Sequence, residues 1–167
     1  MREITIYTDG SSLGNPGPGG WGAILISGRH RKEISGGFRL TTNNRMEILA
    51  LIEALKAIKA KERVRVKLYT DSQYVANTIN LGWAVGWQKK GWKKSGSGKA
   101  KNIDLWKQLL DILPRNEIEI IWLKGHAGIE ENEKCDLLCK AAASQPDLAP
   151  DKEYEQEIQS INSGAML

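Results

Sequence analysis

The sequence predicts an α/β domain built on a mixed sheet. Residues 4–10, I-T-I-Y-T-D-G, and 66–72, V-K-L-Y-T-D-S, both alternate as strands do and both reach Tyr-Thr-Asp. Between them, two further strand-like runs joined by short turns complete an antiparallel meander. A long helical pattern then separates the meander from the second Tyr-Thr-Asp run. That strand should therefore lie parallel to the first, reached through a right-handed crossover.

In the first strand Ile4, Ile6 and Thr8 share one face, and Thr5, Tyr7 and Asp9 the other. Residues 11–22 read as a turn-rich loop. Residues 17–22 match G-x-G-x-x-G, but a dinucleotide site needs a helix after the glycines and an acid about twenty residues on. Here the glycines lead into a strand, 21–27. A basic turn, 28–32, precedes a third strand at 33–40.

Thr42, Asn43 and Asn44 then offer an N-cap to a helix over 45–61. That helix is mostly apolar, so most of it should be buried. At 100° per residue Glu47 falls opposite the polar stripe of Glu53, Lys56 and Lys59. An inward carboxylate needs either a partner arginine or a bound cation.

A strand over 63–70 follows, then a helix over 72–81. Residues 82–101 hold Trp83, Trp87 and Trp92 among six lysines and no acid. Two readings stand here: a basic element for a nucleic-acid backbone, or a solvated loop with its tryptophans packed inward. An amphipathic helix over 102–113 ends at Pro114, and 117–123 is a fifth strand. Residues 124–128, K-G-H-A-G, form a glycine-hinged loop with His126, and a helix over 131–144 carries Asp136.

The 167 residues suit one domain. No apolar run is long enough to span a membrane, and the N-terminus shows no signal or transit peptide. Cys135 and Cys139 are the only cysteines, one helical turn apart. Buried free thiols fit that spacing better than a disulfide or half a zinc site, and they point to a reducing cytoplasm. The net charge is +4, yet Asp147, Asp151, Glu153, Glu155 and Glu157 face Lys152 alone in the last stretch. The chain thus divides into a basic domain, 1–146, and an acidic tail, 147–167, flanked by prolines and expected to be poorly ordered. A basic body suits a polyanionic partner.

An aspartate that ends a strand can simply start a turn. Two of them at the ends of neighbouring strands would instead crowd like charges, which a divalent cation with oxygen ligands relieves.

Four acids in order, Asp9, Glu47, Asp71 and Asp136, with His126 before the last, resemble bacterial type 1 ribonuclease H. The matching text includes Y-T-D-G-S at 7–11, G-N-P-G-P-G-G-W-G at 14–22, T-T-N-N-R-M-E at 41–47 and Y-T-D-S-Q-Y-V at 69–75. K-G-H-A-G and E-N-E-K-C-D at 124–136 continue it, and the likeness covers about 1–143.

The resemblance implies a five-stranded mixed sheet in the order 3-2-1-4-5 with helices on both faces. It implies a monomer that hydrolyses the RNA strand of RNA–DNA hybrids with two Mg²⁺ ions (Mn²⁺ able to substitute), giving 5′-phosphate and 3′-hydroxyl ends. By motif match Asp9, Glu47, Asp71 and Asp136 are metal ligands, and His126 assists proton transfer or product release. Asn15, Asn44 and Gln73 match contacts to the RNA strand, and Thr42 matches part of a DNA-phosphate pocket. Trp83, Lys89, Lys90, Lys93 and Lys94 match a basic handle on the DNA strand.

The chemistry agrees with the donor set, because hard oxygens suit Mg²⁺ better than imidazole or thiolate does. A transposase- or resolvase-like nuclease would share strand-end acids but not T-T-N-N-R-M-E. A non-catalytic hybrid-binding module would be expected to lack one of the four acids.

Overall fold

The computed structural model of the chain describes residues 1–93, 101–125 and 127–165. β1 (Glu3–Ser12), β2 (Gly17–Ser27) and β3 (His30–Thr41) form the expected antiparallel meander. α1 (Asn43–Lys56) carries the chain back to β4 (Arg65–Thr70), which pairs parallel to β1. α2 (Gln73–Asn80), α3 (Trp83–Lys89) and α4 (Ile103–Ile112) precede β5 (Glu117–Trp122), parallel to β4. α5 (Glu130–Ala143) and α6 (Lys152–Ala165) follow. The strand order is β3-β2-β1-β4-β5, as anticipated.

Alternation along β1 sets the layers. Ile4 and Ile6 point into a core with Ile48, Leu51, Ile52 and Leu55 of α1 and Val66 and Leu68 of β4. Each fully buried aliphatic side chain there contributes about 1.5–3 kcal/mol. Trp106 of α4 is wholly buried in the same core, and its indole N–H donates to the Tyr74 hydroxyl at 3.3 Å. The other face of β1 meets α5, where the Cys135 thiol donates to the Tyr7 carbonyl at 3.3 Å.

Two local expectations change. The glycine-rich run 11–22 is mostly strand, since β1 extends to Ser12 and β2 begins at Gly17. Gly20 and Gly22 make room for a helix rather than for a turn. A Cβ at Gly20 would overlap the Cys139 carbonyl oxygen, and one at Gly22 would meet Leu138 Cβ at 2.8 Å. α1 stops at Lys56, short of 61, because its last turn tightens: the Ala57 N–H reaches both the Glu53 carbonyl at 3.1 Å and the Ala54 carbonyl at 3.2 Å.

The expectation of a poorly ordered tail is corrected. Ala149 forms a bridge to Phe38 of β3, its carbonyl accepting the Arg39 N–H at 2.9 Å. Asp151 is buried and accepts from the Thr41 hydroxyl at 2.7 Å. Arg45, 2% exposed, donates to Asp151 at 2.8 and 3.1 Å and to Asp104 at 2.7 and 2.9 Å. Arg39 grips Glu155 at 2.9–3.2 Å. A buried guanidinium needs carboxylates around it. The tail supplies one of them, so its acidic composition ties it down instead of leaving it solvated. Among the described residues no helix is long and apolar enough to cross a membrane.

Candidate active site

The carboxyl ends of β1 and β4 leave the sheet together. Thr8 and Thr70 are partners in the parallel register, so Asp9 and Asp71, one residue on, emerge side by side. Glu47 comes from the first turns of α1. Thr42 caps that helix, its hydroxyl accepting the Arg45 N–H at 3.2 Å. Gly10 lets α1 approach β1, for a Cβ there would overlap the Met46 carbonyl group and the Glu47 nitrogen. The Gly10 N–H donates to Asp9 Oδ1 at 2.8 Å and to Glu47 Oε1 at 3.2 Å.

The result is two overlapping groups. Asp9, Glu47 and Asp71 each present a carboxylate oxygen within 4.8 Å of the other two. Asp136, brought by α5, forms a second such group with Asp9 and the Cys139 sulfur, also within 4.8 Å. The other three acids therefore gather around Asp9. Asp136 Oδ2 accepts from Lys140 Nζ at 2.9 Å. The Asp71 carbonyl accepts from the Trp122 indole at 3.1 Å, which ties β5 to the site.

Burial and the crowding of carboxylates show in the proton affinities. Burial pushes the Asp9 carboxyl up to about 7; the Asp71 and Asp136 charges add to the rise, while contacts with Glu47 and the Gly10 N–H oppose it. Burial, and then the Asp9 charge, holds Glu47 well above the usual carboxylate range. Glu47 Oε2 is buried with no hydrogen-bond partner among the described residues. An orphaned carboxylate oxygen among other carboxylates is what a cation site with its ligands in place presents, and this donor set fits a hard divalent ion. Burial also pushes the Cys139 thiol up to about 12.

The other sequence-derived positions fall around this centre. Gly125 runs against Asp71, where a Cβ would stand 3.1 Å from Oδ2. His126, the next residue, lies outside the described residues, and so does Lys94. Asn15, Thr42 and Asn44 come together along one open groove of about 410 Å³, whose far wall includes Tyr154 and Glu157 of α6. Asn15 also helps build the start of α1, accepting the Asn43 N–H at 3.1 Å. Gln73 is exposed at the first position of α2.

Trp83, Lys89, Lys90 and Lys93 are exposed at and after α3, while Trp87 and Trp92 pack against the core. Both readings of the tryptophan–lysine stretch are thus met in part. Sequence reasoning did not single out Arg45, Asp104 and Asp151, or the position of Cys139 beside Asp9. The available signal was a second charged residue, Arg45, two positions before Glu47 in a helix too apolar to be exposed.

Comparison with known proteins agrees with this geometry. The family model described as RNase H matches residues 1–144. A ribonuclease H of Syntrophus aciditrophicus (strain SB) is 54% identical over 154 residues, spanning 92% of this chain and 88% of that protein. One of Aeromonas salmonicida (strain A449) is 56% identical over 155 residues, spanning 93% and 99%. Among solved structures, LC9-RNase H1, a type 1 RNase H with the type 2 active-site motif, matches with a TM-score of 0.77 at 34% identity. That match covers 86% of this chain and 72% of the other.

Proposed function

This chain belongs to the ribonuclease H family, and from that premise we propose that it hydrolyses the RNA strand of RNA–DNA hybrids at the Asp9–Glu47–Asp71–Asp136 cluster, with two Mg²⁺ ions (or Mn²⁺) as cofactor. The products are 5′-phosphate and 3′-hydroxyl ends. The main support is the meeting of three acids from three separate segments within 4.8 Å, one of them with a buried oxygen that no other described residue satisfies.

Asp9, Glu47, Asp71 and Asp136 would hold the divalent cations, whose chemistry would be to activate a water and to neutralise charge on the leaving 3′-oxygen. The chain's own contribution is placement. Asp9, shared by both ligand groups, is held by the Gly10 N–H at 2.8 Å, and Glu47 is held by the same N–H at 3.2 Å. His126, on the K-G-H-A-G loop, is assigned to proton transfer or product release. Asn15, Asn44 and Gln73 carry amides that can both donate to and accept from ribose 2′-hydroxyls, the group that separates RNA from DNA. Thr42 takes a phosphate of the DNA strand at the start of α1, and Trp83 with Lys89, Lys90, Lys93 and Lys94 holds that strand further along. Sugar and phosphate are what such contacts read, so sequence preference should be weak. In this reading residues 1–146 are the catalytic unit, working as a monomer in a reducing cytoplasm that keeps Cys135 and Cys139 as thiols.

Hybrid labelled on either strand, incubated with and without Mg²⁺, tests the proposal. Mg²⁺-dependent cutting of the RNA strand to 5′-phosphate ends is expected. Cutting of the DNA strand or of duplex DNA, or cutting that survives chelation of divalent ions, overturns it.

A further inference from the structure

The catalytic reading leaves α6 without a task, yet this helix reaches the substrate side of the molecule. It is tied down only at its start. Among the described residues, the hydrogen bonds and ion pairs that other elements make with residues 147–165 end at Glu155. The Ala149 carbonyl accepts the Arg39 N–H, Asp151 accepts from Thr41 and Arg45, and Glu155 accepts from Arg39. Asp151 and Glu155 are thereby matched by arginines. Glu157 is exposed and forms no ion pair with a described residue.

Tyr154, Ile158 and Ile161 share one face of α6 at the spacing i, i+4, i+7. With Glu157 beside them they wall the groove that holds Asn15, Thr42 and Asn44. Glu157 also lines a second groove, of about 590 Å³, with Asp104 and Glu153, so it stands where the two meet. A groove of about 410 Å³ is on the order of 7 Å across, inside the Debye length of about 10 Å at 0.1 M salt. A phosphate strand lying in it therefore feels the Glu157 charge, while Lys101 of the same groove pulls the other way. A platform built to grip a polyanion would carry bases. Residues 153–165 hold three acids and no lysine or arginine.

We propose that α6 is a built-in competitor for the backbone of the substrate: Glu157 stands in the Asn15–Thr42–Asn44 groove as a fixed negative charge that weakens hybrid binding without entering the chemical step. This rests on the reading of that groove as the seat of the hybrid. The anchors at Asp151 and Glu155 hold the acid there, because they fasten α6 to the same α1 start that carries Thr42 and to the neighbouring edge of β3.

The test measures hybrid cleavage by the full-length chain in saturating Mg²⁺ over a range of salt. Glu157→Gln should lower KM roughly twofold to threefold at low salt, and Glu157→Lys roughly fivefold, with kcat unchanged and both gains fading as screening grows toward about 0.5 M salt. Glu62→Gln removes the same charge just before β4, beside Lys61 and Arg63, and should leave KM near native. An equal fall in KM for Glu62→Gln would trace the effect to net charge and overturn the proposal. So would a rise in KM for Glu157→Gln, which would make α6 a holder of the substrate, or a gain that salt does not diminish. Asn44→Ala separates this failure from that of the groove itself. If Asn44→Ala raises KM while Glu157→Gln changes nothing, only the role of α6 falls. If neither moves KM or kcat, the groove is off the substrate path and both readings fall.

Discussion

Arg45 and Glu47 lie two residues apart in the first turns of α1, and both are buried. Their charges are treated in opposite ways. Arg45 is enclosed by two bidentate carboxylates, Asp104 and Asp151, with the Tyr154 ring 5.8 Å from its guanidinium carbon. Burial alone would lower its proton affinity, but the two carboxylates outweigh that and leave it above the ordinary arginine value. Glu47 has one backbone N–H, one orphaned oxygen, and two more acids within 4.8 Å.

The first cluster is complete within the chain and contributes to holding the fold. The second could hold a cation, and without one its crowded carboxylates cost stability. One rigid helix start carries both, so the satisfied cluster holds the unsatisfied one in position.

The sharpest way to break this contrast is to remove the acid at the centre of the second cluster. Asp9→Asn should lower the single-turnover rate of hybrid cleavage by roughly 10³ or more, because in the proposed mechanism several kcal/mol of transition-state stabilisation pass through the ions assigned to it. The same change should raise the melting temperature of the metal-free protein at pH 8, since one of several crowded negative charges disappears. A variant that melts lower than the native chain would show that Asp9 belongs with the stabilising groups.

Next in size is a cut at the other cluster. Asp151→Ala leaves Arg45 with Asp104 as its one carboxylate among the described residues, and urea unfolding should show a loss of about 3 kcal/mol. The rate per folded molecule should stay within a few-fold of native. A catalytic loss as large as that of Asp9→Asn would erase the distinction between the two regions.

Protons sharpen it further. Unfolded, the Asp9 carboxyl titrates near its ordinary 3.8, and folded near 7. From about pH 4 to about pH 7 the folded protein therefore keeps a proton that the unfolded chain has released. Stability of the metal-free protein should fall across that window and level off above it. Saturating Mg²⁺ should flatten the slope, as should Asp9→Asn. A metal-free protein that gains stability from pH 4 to 7 would contradict the crowded-carboxylate reading.

The smallest expected effect lies outside both clusters. Neutralising Lys89, Lys90 and Lys93 should weaken hybrid binding and make it less sensitive to salt. The log–log slope should shrink by up to about 0.9 for each phosphate that no longer meets a lysine. An unchanged slope would place these lysines off the substrate path.

Much of this was legible from short stretches of chain. Ile4, Ile6 and Thr8 alternate with Tyr7 and Asp9, and that period alone gives a strand and its faces. Thr42 and Ser72 each cap a helix through the hydroxyl, three residues before the N–H they accept. The glycines at 20 and 22 were harder, because a missing side chain looks the same whether it frees a turn or admits a helix.

What the sequence determined by itself is mostly what depends on neighbours a few residues away, the strand periods and the caps, joined by the repeated Tyr-Thr-Asp and the intervening helix that put Asp9 and Asp71 at the same end of parallel strands. The folded chain alone decided which distant groups meet. Arg45 finds Asp151 across 106 residues, so a segment that reads as a solvated tail becomes part of the domain. Cys139 comes to rest beside Asp9 only because glycines in β2 let α5 settle close on the sheet. Local energies act along the backbone and leave a pattern in the letters. Pairings across a hundred residues are selected by burial and charge after the chain has closed, and no window of sequence contains both partners.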